Sequence, residues 1–324
     1  MRTLYLHIGM HKTGSTSIQE SLCHCNTETA LYIPFGPINH SVGAMTVFGE
    51  HPERYHIHRR QGLSRESVMA LRKEMIEQLL VGLAAPQNTL ILSGEDFSLL
   101  SFDAVSQLHK ILTLAIERIQ IIAYVRTPVG YASSSFQQLV GGGLNHWAGH
   151  APCYRDRFEK YIQIFGRAAV EIVPYRRETL IGGDVVDDFL HRIGQPDLKL
   201  PRPRSNSSQS LEIVAAQYWI NKHAKAVLPP AQTGALRQAV GAAIKTLGQS
   251  TRLRFAEAAV VDEAVAQDVA WLESVTDFTL RDDPIDATEH EVASEAALLA
   301  YGADQLRALS LSPAQHQQLA QLGL

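Results

Sequence analysis

Lys12, Glu95, Arg126 and the hydroxyl-rich run Thr13-Gly14-Ser15-Thr16-Ser17 are the residues of this sequence best suited to chemistry. Two cations far apart in sequence can hold two anionic groups of one ligand, and a carboxylate between them can take a proton from an attacking hydroxyl. Serine and threonine beside a lysine add short hydrogen bonds to phosphate oxygens. Such a set works only if the chain delivers all of it to one place, so the elements that carry these residues decide the reading.

Leu4-Tyr5-Leu6-His7-Ile8 is a short apolar run that breaks at Gly9 and continues as Met10-His11-Lys12-Thr13-Gly14-Ser15-Thr16-Ser17. It reads as a buried strand, a glycine-containing loop and then a helix. A helix start offers unpaired backbone N–H groups and the positive end of a dipole, which together favour phosphate. A Walker A loop is Gly-x-x-x-x-Gly-Lys-Ser/Thr, with lysine directly after the second glycine. Gly9 and Gly14 keep that spacing, but Ser15 follows Gly14 and the lysine comes earlier, at Lys12. A plain strand-to-helix turn also uses small residues, so the loop needs a second feature beside it.

Ile119 to Val125 is β-rich and almost wholly apolar, as a central parallel strand should be, and it ends at Arg126. Thr127 then suits a helix N-cap and Pro128 the first helical position. Ser133, Ser134 and Ser135 follow on the helix. An arginine at the carboxyl end of a strand, beside a hydroxyl-bearing helix, can hold a second phosphate. Alone, Arg126 is equally a strand-end residue engaged by its neighbours.

The lysine-first run at 11–17 resembles the 5′-phosphosulfate-binding loop of sulfotransferases that use 3′-phosphoadenosine 5′-phosphosulfate (PAPS). Many bacterial members, among them carbohydrate sulfotransferases, carry a similar Lys-Thr-Gly-Thr-Thr-Ser run near the N-terminus. The resemblance covers about residues 1–200 and is specific at 7–19 and 121–138. It implies that His11, Lys12, Thr13, Gly14, Ser15, Thr16 and Ser17 bind the 5′-phosphosulfate. It also implies that Arg126 and Ser134, eight residues later, hold the 3′-phosphate. Tyr175 would lie near the adenine, although Arg176-Arg177-Glu178 follow it and the family's Tyr-Glu-Asp wording is absent. Arg204 stands where the family has a basic loop over the 3′-phosphate, without the usual Arg-Lys-Gly. The segment around it, Pro201 to Ser208, also suits a simple connector.

Thr89-Leu90-Ile91-Leu92-Ser93 reads as another buried strand, delivering Gly94-Glu95-Asp96 at its carboxyl end, where open α/β sheets bind ligands. Sulfuryl transfer to a hydroxyl needs a base, and the family uses glutamate or histidine. Glu95 is the expected base, with Asp96 the better candidate for a structural partner and His40, in a polar stretch, held in reserve. Lys12 is expected to stabilise charge building on the bridging oxygen and the departing 5′-phosphate. The scheme requires no metal. Glu95-Asp96 could instead be read as the acidic strand end of a divergent P-loop kinase or NTPase, where Mg²⁺ binds. A non-catalytic nucleotide-binding protein of the same fold is the third reading.

Strands and helices alternate to about residue 200, which predicts an α/β, P-loop-like three-layer fold: a central parallel sheet flanked by helices. Helices are expected at about 15–24, 65–84, 102–115, 128–139, 154–166 and 184–194. After 205 alanine, leucine and glutamine dominate and β signals fade, so residues 1–204 read as the PAPS-binding core and 205–324 as a helical C-terminal region packed on it. A formal charge of −4 gives no electrostatic case for a general nucleic-acid binder. Three cysteines, Cys23, Cys25 and Cys153, cannot build a disulfide scaffold and fit a reducing compartment. No apolar run reaches the ~20 residues of a membrane span, and a strand starting at Thr3 leaves no room for a signal peptide. A bacterial-type cytoplasmic enzyme is therefore expected. The acceptor is a small molecule or glycan, with His40 and the Gly141–Trp147 run, Trp147 above all, as candidates to line its pocket.

Overall fold

The structure, a computed structural model, describes residues 1–147, 151–202, 209–248, 251–282 and 284–324. Chain order is β1 (Thr3–His7), α1 (Ser15–Leu22), β2 (Ala30–Tyr32), α2 (Ser41–Val47), α3 (His56–Arg60), α4 (Arg65–Leu83), β3 (Thr89–Ser93), α5 (Phe102–Thr113), β4 (Arg118–Val125), α6 (Pro128–Gly141), α7 (Tyr154–Phe165), β5 (Val170–Pro174) and α8 (Val185–Arg192). Then come α9 (Leu211–Ala224), α10 (Pro230–Thr246), β6 (Arg252–Phe255), α11 (Glu263–Ser274), β7 (Glu289–Val292), α12 (Glu295–Ala308) and α13 (Pro313–Gln321).

The chain divides into two compact units. The first comprises Met1–Arg126, Cys153–Ser205 and Trp271–Phe278; the second comprises Thr127–Pro152, Asn206–Ala270 and Thr279–Leu324. Each is described by itself.

The first unit is built on a five-stranded, all-parallel sheet of order β2-β3-β1-β4-β5. The expected α/β architecture is therefore present, and it includes a strand, β2, that no apolar run announces. β2 has only three residues, too few to show alternation, and it pairs with β3 through Ala30–Tyr32. Residues of β3 and β4 are buried on both faces, which is why they read as continuous apolar runs. Ile91, Ile122, Tyr124 and Val173 turn to one face, where Ile18 and Leu22 of α1 and Val185, Val186 and Phe189 of α8 cover them. Ile121, Ala123 and Val125 turn to the other face and are equally buried; α5 and α7 pack together there and reach β4 and β5. The sheet changes direction of winding at β1: β3 lies on one side of it and β4 on the other. The carboxyl ends of β1, β3 and β4 thus adjoin at the crevice where open sheets place their ligands.

Helix ends follow local chemistry. Ser64 accepts from Ser67 N to start α4, Ser101 from Ala104 N to start α5, and Asp184 from Val186 N and Asp187 N to start α8. Behind the sheet, the fully buried Asp188 accepts the Tyr124 hydroxyl (2.7 Å), Ile181 N (3.1 Å) and Arg192 Nε (2.6 Å), fixing α8 to β4. Burial alone would raise the Asp188 pKa, but the Arg192 and Tyr124 hydrogen bonds hold it below the usual carboxylate value.

The second unit is mostly helical, packing α9 against α10 and α12 around Ile213, Trp219, Ile220, Leu236, Val240 and Leu306. It also holds a small parallel sheet of β6 and β7, which the Ala/Leu/Gln texture of the C-terminal sequence hides. β6 is Arg-Leu-Arg-Phe, four residues whose charges mask a half-buried alternation: Leu253 and Phe255 are buried, Arg252 and Arg254 are not. Thr127 and Pro128 open α6 as the sequence suggests, with the Thr127 hydroxyl accepting from Gly130 N (3.2 Å). No helix among the described residues is long and apolar enough to cross a membrane.

Candidate active site

The strand ends deliver three loops. After β1 the chain still pairs with β4, Ile8 N bonding Ile122 O and Met10 N bonding Tyr124 O (2.9 Å each). It then leaves the sheet. Lys12 takes a left-handed conformation (φ 70°) and Gly14 another (φ 78°), so the backbone turns back on itself before α1 begins at Ser15. Gly14 is required twice over: its φ disfavours a side chain, and a Cβ there would lie 2.6 Å from Val185 Cγ1 and 3.3 Å from the Tyr175 ring. A left-handed lysine costs about 1–2 kcal/mol, and here it sits in the loop expected to bind an anion.

Within the loop the hydroxyls divide. Thr13 is buried and its Oγ1 donates to Met10 O (2.6 Å), so its side chain braces the turn. Ser15 is also buried, its Oγ 3.5 Å from Met10 O. Thr16 is exposed and Ser17 half-buried. His11 points to the carboxylate loop, its Nε2 3.0 Å from Asp96 Oδ1.

Arg126 and Tyr175 come from the ends of β4 and β5. The Arg126 guanidinium lies 5.5 Å from the centre of the Tyr175 ring, and Tyr175 N bonds Val125 O (2.7 Å). Lys12 is within electrostatic reach. Partial loss of hydration, and then the Arg126 charge, lower its pKa. A lysine disfavoured by a neighbouring positive charge gains when a polyanion binds beside it. Lys12, Gly14, Tyr175 and Arg126 are thus brought together in the first unit.

Beyond β3 the chain turns through Glu95–Leu99, a short 3₁₀ segment. Gly94 permits a close approach: a Cβ there would lie 2.4 Å from Ser41 N and 2.8 Å from the His40 carbonyl carbon. That contact brings the 38–41 stretch beside Glu95. Glu95 is half-buried, and both its oxygens accept side-chain amides: Gln19 Nε2 at 3.0 Å on Oε2 and Asn39 Nδ2 at 3.3 Å on Oε1.

Asp96 is buried and multiply engaged. It accepts from His11, takes the Tyr55 hydroxyl on Oδ2 (2.7 Å), and its N–H donates to Ser41 Oγ (3.0 Å). Burial would raise its pKa, yet the His11 and Tyr55 hydrogen bonds and the nearby His56 leave it lowered.

His40 does not lie in a solvated loop. It is 1% exposed, stacks on Tyr32 (centroids 4.2 Å apart) and accepts Ser93 N on Nδ1 (3.1 Å). Burial pushes its pKa down to about 3, against a hydrogen bond with the Ile33 backbone, so the ring is neutral. On the other side of Ser93, His7 Nδ1 meets Ser93 Oγ (2.7 Å), and burial takes His7 to about 3 as well. Two neutral imidazoles therefore fasten the carboxyl ends of β1 and β3 under the loops.

Helix α7 supports the same ends from one face. Tyr154 donates to Arg126 O (2.5 Å), Arg157 Nη1 to Ser98 Oγ (2.9 Å) and Tyr161 to Phe97 O (2.6 Å); all three residues are buried. None of these partners is singled out by the sequence. A polar residue at a core-facing position of an otherwise apolar helix stripe, as with Gln19 beside Ile18 and Leu22, is the signal that could have found them.

Ser134 and Trp147 belong to the second unit. Of the three serines on α6, Ser133 accepts Phe255 N (3.0 Å) and Ser135 bonds Ala132 O (3.2 Å), while Ser134 is half-buried with no side-chain partner among the described residues. Trp147 packs on Phe136 and Phe255 (centroids 5.7 and 5.0 Å), half-buried in an aromatic cluster rather than standing out as a bare stacking platform. Arg204 lies outside the described residues. Among the described residues no group of three or more His, Cys, Asp or Glu is arranged to hold a metal ion.

No family model matches the chain, and no curated protein matches it. Among solved structures it is similar to the crystal structure of a sulfotransferase from Alicyclobacillus acidocaldarius, with 15% sequence identity and a TM-score of 0.41 over 74% of this chain and 96% of that one.

Proposed function

We propose that this chain is a PAPS-dependent sulfotransferase that moves a sulfuryl group to an acceptor hydroxyl. The observation that carries the reading is the convergence of a lysine-first, left-handed loop with Arg126 and Tyr175, and of Glu95 on the strand end next to that loop. Backbone N–H groups at the start of α1, with Lys12, Ser15, Thr16 and Ser17, bind the 5′-phosphosulfate. Arg126 takes the 3′-phosphate, and Tyr175 borders the nucleoside.

In the proposed reaction the acceptor oxygen attacks sulfur in line with the bridging oxygen. Glu95 takes the acceptor proton as the new O–S bond forms and the bond from sulfur to the bridging oxygen breaks. The departing adenosine 3′,5′-bisphosphate carries the electron pair away, and Lys12 with the loop amides offsets its growing charge. The chain's own residues supply each of these roles, so no metal is part of the scheme. A saccharide hydroxyl is the proposed acceptor, and the bacterial-type cytoplasmic setting goes with it; both rest on the resemblance.

The kinase reading fares worse for a specific reason. Asp96, one of the two acidic residues on which that reading relies, already bonds His11 and Tyr55. Glu95→Gln tests the proposal: it should bind the bisphosphate as the parent does, while transfer from PAPS to hydroxyl acceptors drops about 100-fold or more. Transfer at the parental rate would remove Glu95 from the role of base.

A further inference from the structure

The two amides on Glu95 are the least expected feature of the site. Gln19 is 3% exposed and lies on α1, the helix whose first turn forms the phosphate loop. Its buried position beside Ile18 would ordinarily take an apolar residue. Instead Nε2 donates to Glu95 Oε2 at 3.0 Å. Asn39 approaches from the other side. Its Oδ1 is fixed by Ser41 N (2.9 Å), which leaves Nδ2 to meet Glu95 Oε1 at 3.3 Å. Each carboxylate oxygen thus has one neutral donor, and the carboxylate keeps lone pairs for an incoming proton. Neutral amides orient a carboxylate without the ion pair that would compete for that proton.

We propose that Gln19 and Asn39 are positioning residues that aim Glu95 at the acceptor hydroxyl, Gln19 doing so from the helix that binds the donor. This inference rests on the sulfuryl-transfer reading. Because α1 carries the phosphate loop at one end and Gln19 on its second turn, the distance from donor to base is set by one rigid element. A base held in register in this way loses rate when its support goes, even though the donor still binds.

The test compares Gln19→Met, Asn39→Asp and the parent protein. Gln19→Met keeps the volume and the apolar contacts of the buried site. Asn39→Asp keeps the acceptor for Ser41 N but removes the donor to Glu95. Adenosine 3′,5′-bisphosphate affinity is read by calorimetry. Turnover of PAPS is read as bisphosphate release with methyl β-galactoside and 4-nitrophenol as hydroxyl probes, water being the acceptor always present.

Both variants should bind the bisphosphate within about twofold of the parent. Their kcat should fall about 10- to 100-fold, with the KM for the acceptor little changed. Parental kcat in both variants would overturn the inference while leaving the transfer reading intact. A parallel loss of bisphosphate affinity would overturn it too, by showing that the amides only brace α1. A parent protein that binds no bisphosphate and turns over no PAPS would instead overturn the underlying reading.

Discussion

At the scale of single residues, the donor site is a balance of cations. Burial and then the Arg126 charge lower the Lys12 pKa, and Tyr175 lies against the Arg126 guanidinium. Arg126→Ala removes charge-assisted hydrogen bonds worth about 1.5–3 kcal/mol, so bisphosphate affinity should weaken about 10- to 100-fold by calorimetry. Unchanged affinity would take the 3′-phosphate away from Arg126. Lys12, Arg126 and Glu95 were legible because each stands where a strand pattern stops, and strand ends are where α/β proteins place ligand contacts. Gln19, Asn39 and Tyr55 were not. Their meaning comes from partners 76, 56 and 41 residues away, and no local pattern encodes that. Thr13 and His40 show the same gap in reverse: a hydroxyl and an imidazole of suitable type are turned inward, to Met10 O and Ser93 N.

At the scale of elements, the positions of α1 and α8 matter most, because together they cover the sheet face beneath the loop. Asp188 is the pin of that layer. Asp188→Ala would leave the buried Tyr124 hydroxyl unpaired and the Arg192 charge with Glu171 alone. Loss of a buried ion-pair partner costs about 3–5 kcal/mol; since Arg192 is partly exposed, about 3 kcal/mol is expected, read as a lower midpoint in urea. A midpoint unmoved by the substitution would mean that α8 is held by its apolar contacts alone. The expected helices at 65–84, 102–115, 154–166 and 184–194 match α4, α5, α7 and α8 closely; Ser64, Ser101 and Asp184 cap the first, second and fourth, and α7 follows from its apolar periodicity alone. β2, β6 and β7 escaped because strands of three or four residues are too short to show a period.

At the scale of the whole molecule, His7 and His40 tie stability to pH. Burial holds both near 3 in the folded state, against an ordinary 6.5. The unfolded chain takes up protons on both rings below about pH 6.5 and the folded chain does not until about pH 3. Stability is therefore full above pH 6.5 and falls as pH drops, by up to about 1.4 kcal/mol per pH unit for each ring. Urea unfolding at pH 7.5, 6.5 and 5.5 should show this loss before most carboxylates titrate; a flat profile would mean that the rings are charged in the fold. The division into units is also a whole-molecule property that local texture conceals. Residues 127–152 group with the C-terminal part and Trp271–Phe278 with the first unit, where Arg167 Nε bonds Val275 O (2.8 Å). The central claim, a two-phosphate donor site built on a lysine-first loop, is tested most directly by calorimetry of adenosine 3′,5′-bisphosphate beside ATP with and without Mg²⁺. The account predicts tight, metal-independent binding of the bisphosphate and weak binding of ATP. A clear preference for Mg-ATP would contradict it and make the chain a divergent P-loop kinase.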